Sequence, residues 1–218
     1  MTTAALAVTG GQVTYFDGGA RFTRSGGYDP VEVSVPNDTG LVNYAGIYIG
    51  LSNVNRDDTD LAPIPSGISP SIRPYQASVV NGSIFITVSF GESTIKGAIY
   101  DRILTLPVLN DAREQVVDPL TGLDTFEVSV PDLILTPTTV ASDGSFSGSA
   151  EIPSPTTVGS YGGIIGGADS EAIADAVYVE EHFEDANGGE EEYGIFVIGQ
   201  CGTAANTDPA LCASGAAE

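Results

Sequence analysis

Carboxylates dominate the chemistry this chain could perform. The stretch "NRDDTDLAP" sets Asn55, Asp57, Asp58 and Asp60 within one short segment, and alternating oxygen ligands of this kind suit Ca²⁺. The stretch lacks the glycine and the closing glutamate of an EF-hand loop. A second gathering, "EEHFEDANGGEEE", brings Glu180, Glu181, Glu184, Asp185, Glu190, Glu191 and Glu192 around an Asn187-Gly188 turn. Carboxylates crowded on one hairpin tip repel each other, and a cation would relieve that repulsion. Asp57, Asp58, Asp60, Glu180, Glu181, Glu184 and Asp185 are therefore the candidate metal ligands, with calcium the one cofactor worth weighing. A run of charge is more often a solvated face, and that is the reading taken for both segments.

Catalytic constellations are harder to assemble. His182 is the single histidine, so neither a two-histidine metal site nor a histidine pair exists. The acids beside it could orient it as in a triad, but no serine lies in a nucleophile elbow. Paired carboxylates of glycosidase type need an enclosing cleft, which a hairpin tip does not provide. The chain is accordingly expected to be no enzyme.

"GSYGGIIGGADSEAIADAVYV" raises the question of a phosphate loop. Such a loop needs G-x-x-x-x-G-K-[ST] between a strand and a helix, because lysine must reach the phosphates. Here Gly162, Gly163, Gly166 and Gly167 run into "ADSEA", with no lysine in reach and with Asp169 and Glu171 set to repel an anion. The glycines instead make space, inside a narrow barrel or beneath a neighbour packed over the backbone.

Charge narrows the partners further. The formal net charge of −22 disfavours nucleic-acid backbones and anionic lipid. No apolar run is long enough for a transmembrane helix. The start, "MTTAALAVTGG", has neither a basic region nor a long apolar one, so it does not read as a secretory signal. Cys201 and Cys212 close "CGTAANTDPALC". A disulfide tying back the C-terminal tail is the simplest account, worth about 2–3 kcal/mol in the loop-entropy picture, with two free thiols as the alternative. A bridge implies an extracellular, periplasmic or virion-surface setting.

The elements that would carry these groups are strands. Helix-period stretches are almost absent, while period-2 alternation is strong from Gly40 onward. In "LVNYAGIYIGL" Leu41, Ala45, Ile47, Ile49 and Leu51 face one way, while Tyr44 and Tyr48 face the other. "GSIFITVSFGESTIKGAIY" reads as a β-hairpin. "DTFEVSVPDLIL" puts Phe126, Val128 and Val130 on one face, and Asp143-Gly144 marks a turn before Phe146 to Ile152. Ile84, Ile86, Val88, Phe90, Phe126, Val128, Phe146, Ile152, Ile195 and Val197 form the expected core. "GADSEAIA" reads as a turn or single helical turn. About eight strands in hairpin order point to an up-and-down antiparallel barrel, closed so that no edge is exposed.

The glycine stretch, with Gly162, Gly166, Ala168, Ile173 and Ala176, resembles the closing hairpin of transferrin-binding-protein-B-like barrels. "GSIFITVSFGESTIKGAI" is similar to that family's first long hairpin and "FEVSVPDLILTPTTVASDGSFSGSAEI" to its middle one. The resemblance implies an eight-stranded barrel without catalysis, of the surface-exposed binding-lipoprotein kind. It carries no ligand-contact residue across. The expected organisation is an N-terminal arm or strand pair over 1–39, a barrel over 40–201 and a tail over 202–218. The expected role is a surface-exposed or secreted binding protein with a protein partner. The alternative is a self-assembling structural subunit, such as a virion capsid decoration protein or an extracellular filament component.

Overall fold

A computed structural model describes residues 2–9, 16–33, 38–53, 77–108, 110, 116–180 and 190–215. The first described strands, β1 (Thr2–Thr9) and β2 (Asp17–Arg24), pair with each other and with no other described strand. Strands β3 (Leu41–Ser52), β4 (Ser78–Ser89) and β5 (Thr94–Pro107) follow as successive antiparallel neighbours. A short β6 (Thr125–Ser129) flanks the far half of β5. Then come β7 (Leu133–Thr139), β8 (Ser145–Ile152), β9 (Thr156–Gly166), β10 (Ala172–Glu180) and β11 (Glu191–Gln200).

The ring runs β4-β3-β11-β10-β9-β8-β7-β5, and the β4–β5 pairing closes it. This is the expected up-and-down barrel of eight strands, with β6 outside the ring. Closure gives every strand of the ring two partners and removes the exposed edges that invite aggregation. The core fills the lumen with Ile84, Ile86, Val88, Ile95, Ile99, Leu133, Leu135, Ile165 and Ile173.

Two strands present the opposite face from the one their aliphatic residues suggest. On β3 the lumen holds Tyr44 and Tyr48, both fully buried, while Leu41, Ile47 and Ile49 face out. On β11 the lumen takes Phe196 and Ile198, leaving Val197 exposed and Ile195 half-buried. A one-residue change of register exchanges the two faces completely, and both strands have apolar residues on each. Hydrogen bonding decides β3. Tyr44 Oη donates to the Ser170 carbonyl at 2.6 Å and Tyr48 Oη to Glu192 at 2.6 Å, both inside. Gly194 permits this, since a Cβ there would stand 1.9 Å from Tyr48 Oη. Elsewhere Ile84, Ile86, Val88 and Phe146 are buried as expected, Phe90, Phe126 and Ile152 are half-buried against the core, and Val128 faces solvent while Val130 is buried.

Strand β5 changes face part-way. Its pairing with β4 slips between Ser83↔Tyr100 and Asn81↔Ile103, so Asp101 and Arg102 oppose the single residue Gly82. Asp101 takes φ 51° at this bulge, a left-handed conformation that Asp tolerates better than most residues. Before the bulge Ile95 and Ile99 point inward; after it Arg102, Leu104 and Leu106 do.

The tail is tied as expected. Cys201 and Cys212 are bridged, with their Cα atoms 5.6 Å apart, within the normal range. The bridge lands on a helix the sequence pattern did not suggest, α1 (Pro209–Gly215), which packs on β3 and β4. Asp208 starts it by accepting the Leu211 N–H at 3.2 Å, an N-cap contact. Asn206 Nδ2 donates to the carbonyls of Ala45 (3.1 Å) and Gly199 (3.0 Å), anchoring the turn to the barrel wall. Replacing both cysteines by serine should free α1 while the barrel stays folded. Hydrogen exchange should rise across 203–213 and remain slow in β4 and β10; loss of protection throughout the barrel would contradict this.

Candidate functional site

The polar groups of the barrel lie in two places, one sealed and one open. The sealed one is a cross-lumen cluster. Arg102 Nη2 donates to Glu192 Oε2 at 2.7 Å, with both side chains wholly buried. Arg102 Nη1 also donates to the Pro131 carbonyl, and Tyr48 Oη binds the other Glu192 oxygen. Burial drives the Tyr48 pKa well above its usual value, with the Glu192 charge adding to the rise. The phenol is therefore a fixed donor, and β3, β5 and β11 are clamped through one carboxylate.

Asp175 on β10 also faces the lumen and is fully buried, yet neither carboxylate oxygen has a hydrogen-bond partner. Its pKa is pushed well above the usual value by burial, with the Gly162 backbone N–H opposing weakly. The neighbouring hydroxyls are those of Tyr48 and Tyr161, whose own pKa values Asp175 helps raise. Tyr161 is committed to the Thr136 carbonyl and Arg102 to Glu192. An uncompensated carboxylate in such surroundings takes up a proton instead of bearing charge. Glu192 and Asp175 are both fully buried, and the cluster ties strands of the ring together across the lumen.

The open site lies outside the barrel, where β2 crosses it. A trough of about 660 Å³ runs between β2 and the outer faces of β8, β9 and β10. Its floor is small: Ser145, Ser147, Ser160, Gly162 and Ala176. Phe22 overhangs it from β2, and Tyr178 and Tyr193 close one end. The tyrosines are cross-strand partners with ring centroids 4.9 Å apart, and Phe16 packs on Tyr193 at 5.7 Å. Gly18 allows the arm to approach there, because a Cβ would sit 2.5 Å from the Tyr193 ring. Farther along, Arg24 Nη1 donates to the Ile165 carbonyl at 2.7 Å and pins β2 to the barrel. Among the described residues the lining carries no ionisable group apart from its tyrosines. Burial and the flanking Glu180 and Glu191 raise the Tyr178 pKa, and its hydroxyl donates toward both acids at 3.1 and 3.2 Å. Such a trough can hold apolar or flat groups and offer hydroxyls to them.

The glycine stretch thus serves both sites. Gly162 and Gly166 face outward under the trough and the arm, and Ala176 lines the trough beside Gly162. Ile173 is buried in the lumen and Ala168 begins the short helical turn 168–170. Of the candidate metal ligands only Glu180 is described, exposed at the end of β10. Asp57, Asp58, Asp60, Glu181, Glu184 and Asp185, like His182, lie outside the described residues. Arg102, Glu192 and Asp175 went unnoticed as a cluster in the sequence. Only a cation and an acid inside otherwise apolar alternation, "YDRILTL" and "AIADAVYV", hinted at them.

No family model and no curated protein matches this chain. Among solved structures it is similar to transferrin-binding protein B of Haemophilus parasuis, a vaccine antigen, in a double-mutant form. The identity is 12%, the TM-score 0.41, and the match covers 75% of this chain and 26% of that one. A single mutant of the same antigen aligns with TM-score 0.36 at 11% identity, with 75% and 26% covered. A surface lipoprotein aligns with TM-score 0.45 at 11% identity, covering 82% of this chain and 66% of that one. The chain therefore spans 26% of the transferrin-binding-protein-B chain it aligns with. Its class follows from its own strand order: a closed antiparallel barrel of eight strands, carrying an outer two-stranded arm and a disulfide-tied tail.

Two measurements check the lumen. Asp175 has its pKa raised on folding, so the native state holds a proton that the unfolded chain releases above about pH 4. Stability should fall as pH rises from there to the folded pKa, then level off. Asp175→Asn should abolish that slope and be the more stable form at pH 7, as read by urea denaturation across pH; an unchanged slope would refute the assignment. Arg102→Met strands a buried carboxylate and should cost about 3–5 kcal/mol. Adding Glu192→Leu should recover most of that loss if the pair acts as a unit.

Proposed function

We propose that this chain is a non-enzymatic binding protein of the cell surface or extracellular space, and that it takes a protein partner in the trough between arm and barrel. The observation that carries this reading is the uncharged trough itself, floored by small residues and walled by Phe22, Tyr178 and Tyr193. Aromatic walls supply large contact area at little entropic cost, and exposed concave apolar surface is where partners dock. The described acids of the lumen are sealed, which leaves no acid–base pair in contact with solvent there. The Cys201–Cys212 bridge suits an oxidising compartment. The net charge of −22 steers cationic partners and opposes nucleic acid and anionic membrane.

Ser160 is exposed on the floor, so Ser160→Trp fills the trough at a stability change within about 0.5 kcal/mol. A photo-reactive residue placed at Ser147 should crosslink an extracellular protein, and Ser160→Trp should abolish the crosslink. An undiminished crosslink would remove the trough from the reading. Native mass should show a monomer; a discrete homo-oligomer would favour the structural-subunit role.

A further inference from the structure

The arm is a sheet with one strand too few. A two-stranded hairpin alone is marginal in water, and a third strand over an apolar face is the usual remedy. β2 lies over β9 and β10, and β1 over β10 and β11. β1 has no second partner among the described residues, and a third strand there would lie over β11 and towards β3, the next strand of the ring.

That position faces an aliphatic strip on the outside of the barrel. Ile47 and Ile49 of β3 are 61% and 47% exposed, Val197 of β11 45% and Val79 of β4 37%. They lie on neighbouring strands: β3 pairs with β11 through Ile49↔Ile195 and Tyr48↔Phe196, and with β4 through Leu51↔Val79. β3 and β4 contain no acidic or basic residue at all. On a chain of net charge −22 this uncharged strip stands out, and contiguous exposed aliphatic surface marks an interaction site. α1 covers one end of β3 and β4 and so bounds the strip.

We infer that the β1 edge and the Ile47–Ile49–Val79–Val197 strip form one docking surface, filled by an extended segment of another protein added to the arm as its third strand. The surface continues the interface by which the arm already sits on β9 to β11. Main-chain hydrogen bonds to the β1 edge supply affinity, and alternate aliphatic side chains facing the strip supply selectivity. Charge fixes the rest of the partner's chemistry. A second copy brings another −22, whereas lysine or arginine flanking the segment is attracted. The inference rests on the binding-protein reading and is independent of the trough.

The test uses the intact protein and a synthetic peptide of about ten residues, valine and threonine alternating, with lysine at both ends. Titration should show saturable binding, with slower amide exchange in β1. An N-methylated peptide of the same sequence, unable to pair, should not bind. Ile49→Asp should weaken binding about tenfold or more, with an unchanged melting temperature showing that the barrel is intact. Ser160→Trp should leave it unaltered, which separates this surface from the trough. No binding at millimolar peptide, or equal binding by the N-methylated form or by Ile49→Asp, overturns the inference. So does a homodimer abolished by Ile49→Asp, which makes a second copy the occupant. Protection of the β1 amides in the free monomer, unmoved by peptide, overturns it too, because the chain then covers its own strip.

Discussion

One carboxylate holds the barrel's lumen in register. Glu192 receives Arg102 from β5 and Tyr48 from β3, so three strands of the ring meet at a fully buried point. The geometry leaves no freedom in how β3 and β11 face. With Tyr48 turned out, Glu192 loses a donor; with β11 slipped, Arg102 is buried alone. Removing one partner from such a pair is costly, while replacing the whole set by hydrocarbon is often neutral. The cluster therefore specifies which arrangement forms more than it deepens the stability of that arrangement.

Seen from the sequence, this constraint is the hidden part. The turn at Asp143-Gly144, the hairpin of β4 and β5, the Cys201–Cys212 bridge and the number of strands are local, and short-range patterning exposes them. The inward face of β3 is settled by Glu192 and Ser170, more than a hundred residues away, and "NYAGIYIGL" alternates two apolar sets with nothing local to rank them. Aliphatic count favours the isoleucines; hydroxyl satisfaction favours the tyrosines, and satisfaction wins inside. The bulge at Asp101 is equally invisible to a period-2 pattern. It inserts a residue, so the alternation of "TIKGAIY" and that of "RILTLP" belong to opposite phases.

The same reversal produces the exterior. Turning Tyr44 and Tyr48 inward forces Ile47 and Ile49 outward, and turning Phe196 and Ile198 inward does the same to Val197. The aliphatic strip is thus a consequence of the polar cluster within the lumen, and Ile47, Ile49 and Val197 are residues a different partition would have buried. Its persistence on a surface otherwise rich in carboxylates needs a reason, because nothing in the fold prevents threonine or lysine at those positions.

The glycines complete that division of labour. Gly194 makes room inside for Tyr48, Gly163 makes room beside Asp175, and Gly18 and Gly166 let the arm lie close on the outside. A phosphate loop would direct backbone N–H groups at a ligand; here those groups are spent in the β9–β10 and β8–β9 ladders. What remains available to a partner is surface shape: a trough of small residues on one side of the arm and a bare aliphatic strip on the other. The arm lies between the two, carrying cationic Arg24 on an acidic chain and held by few buried groups of its own.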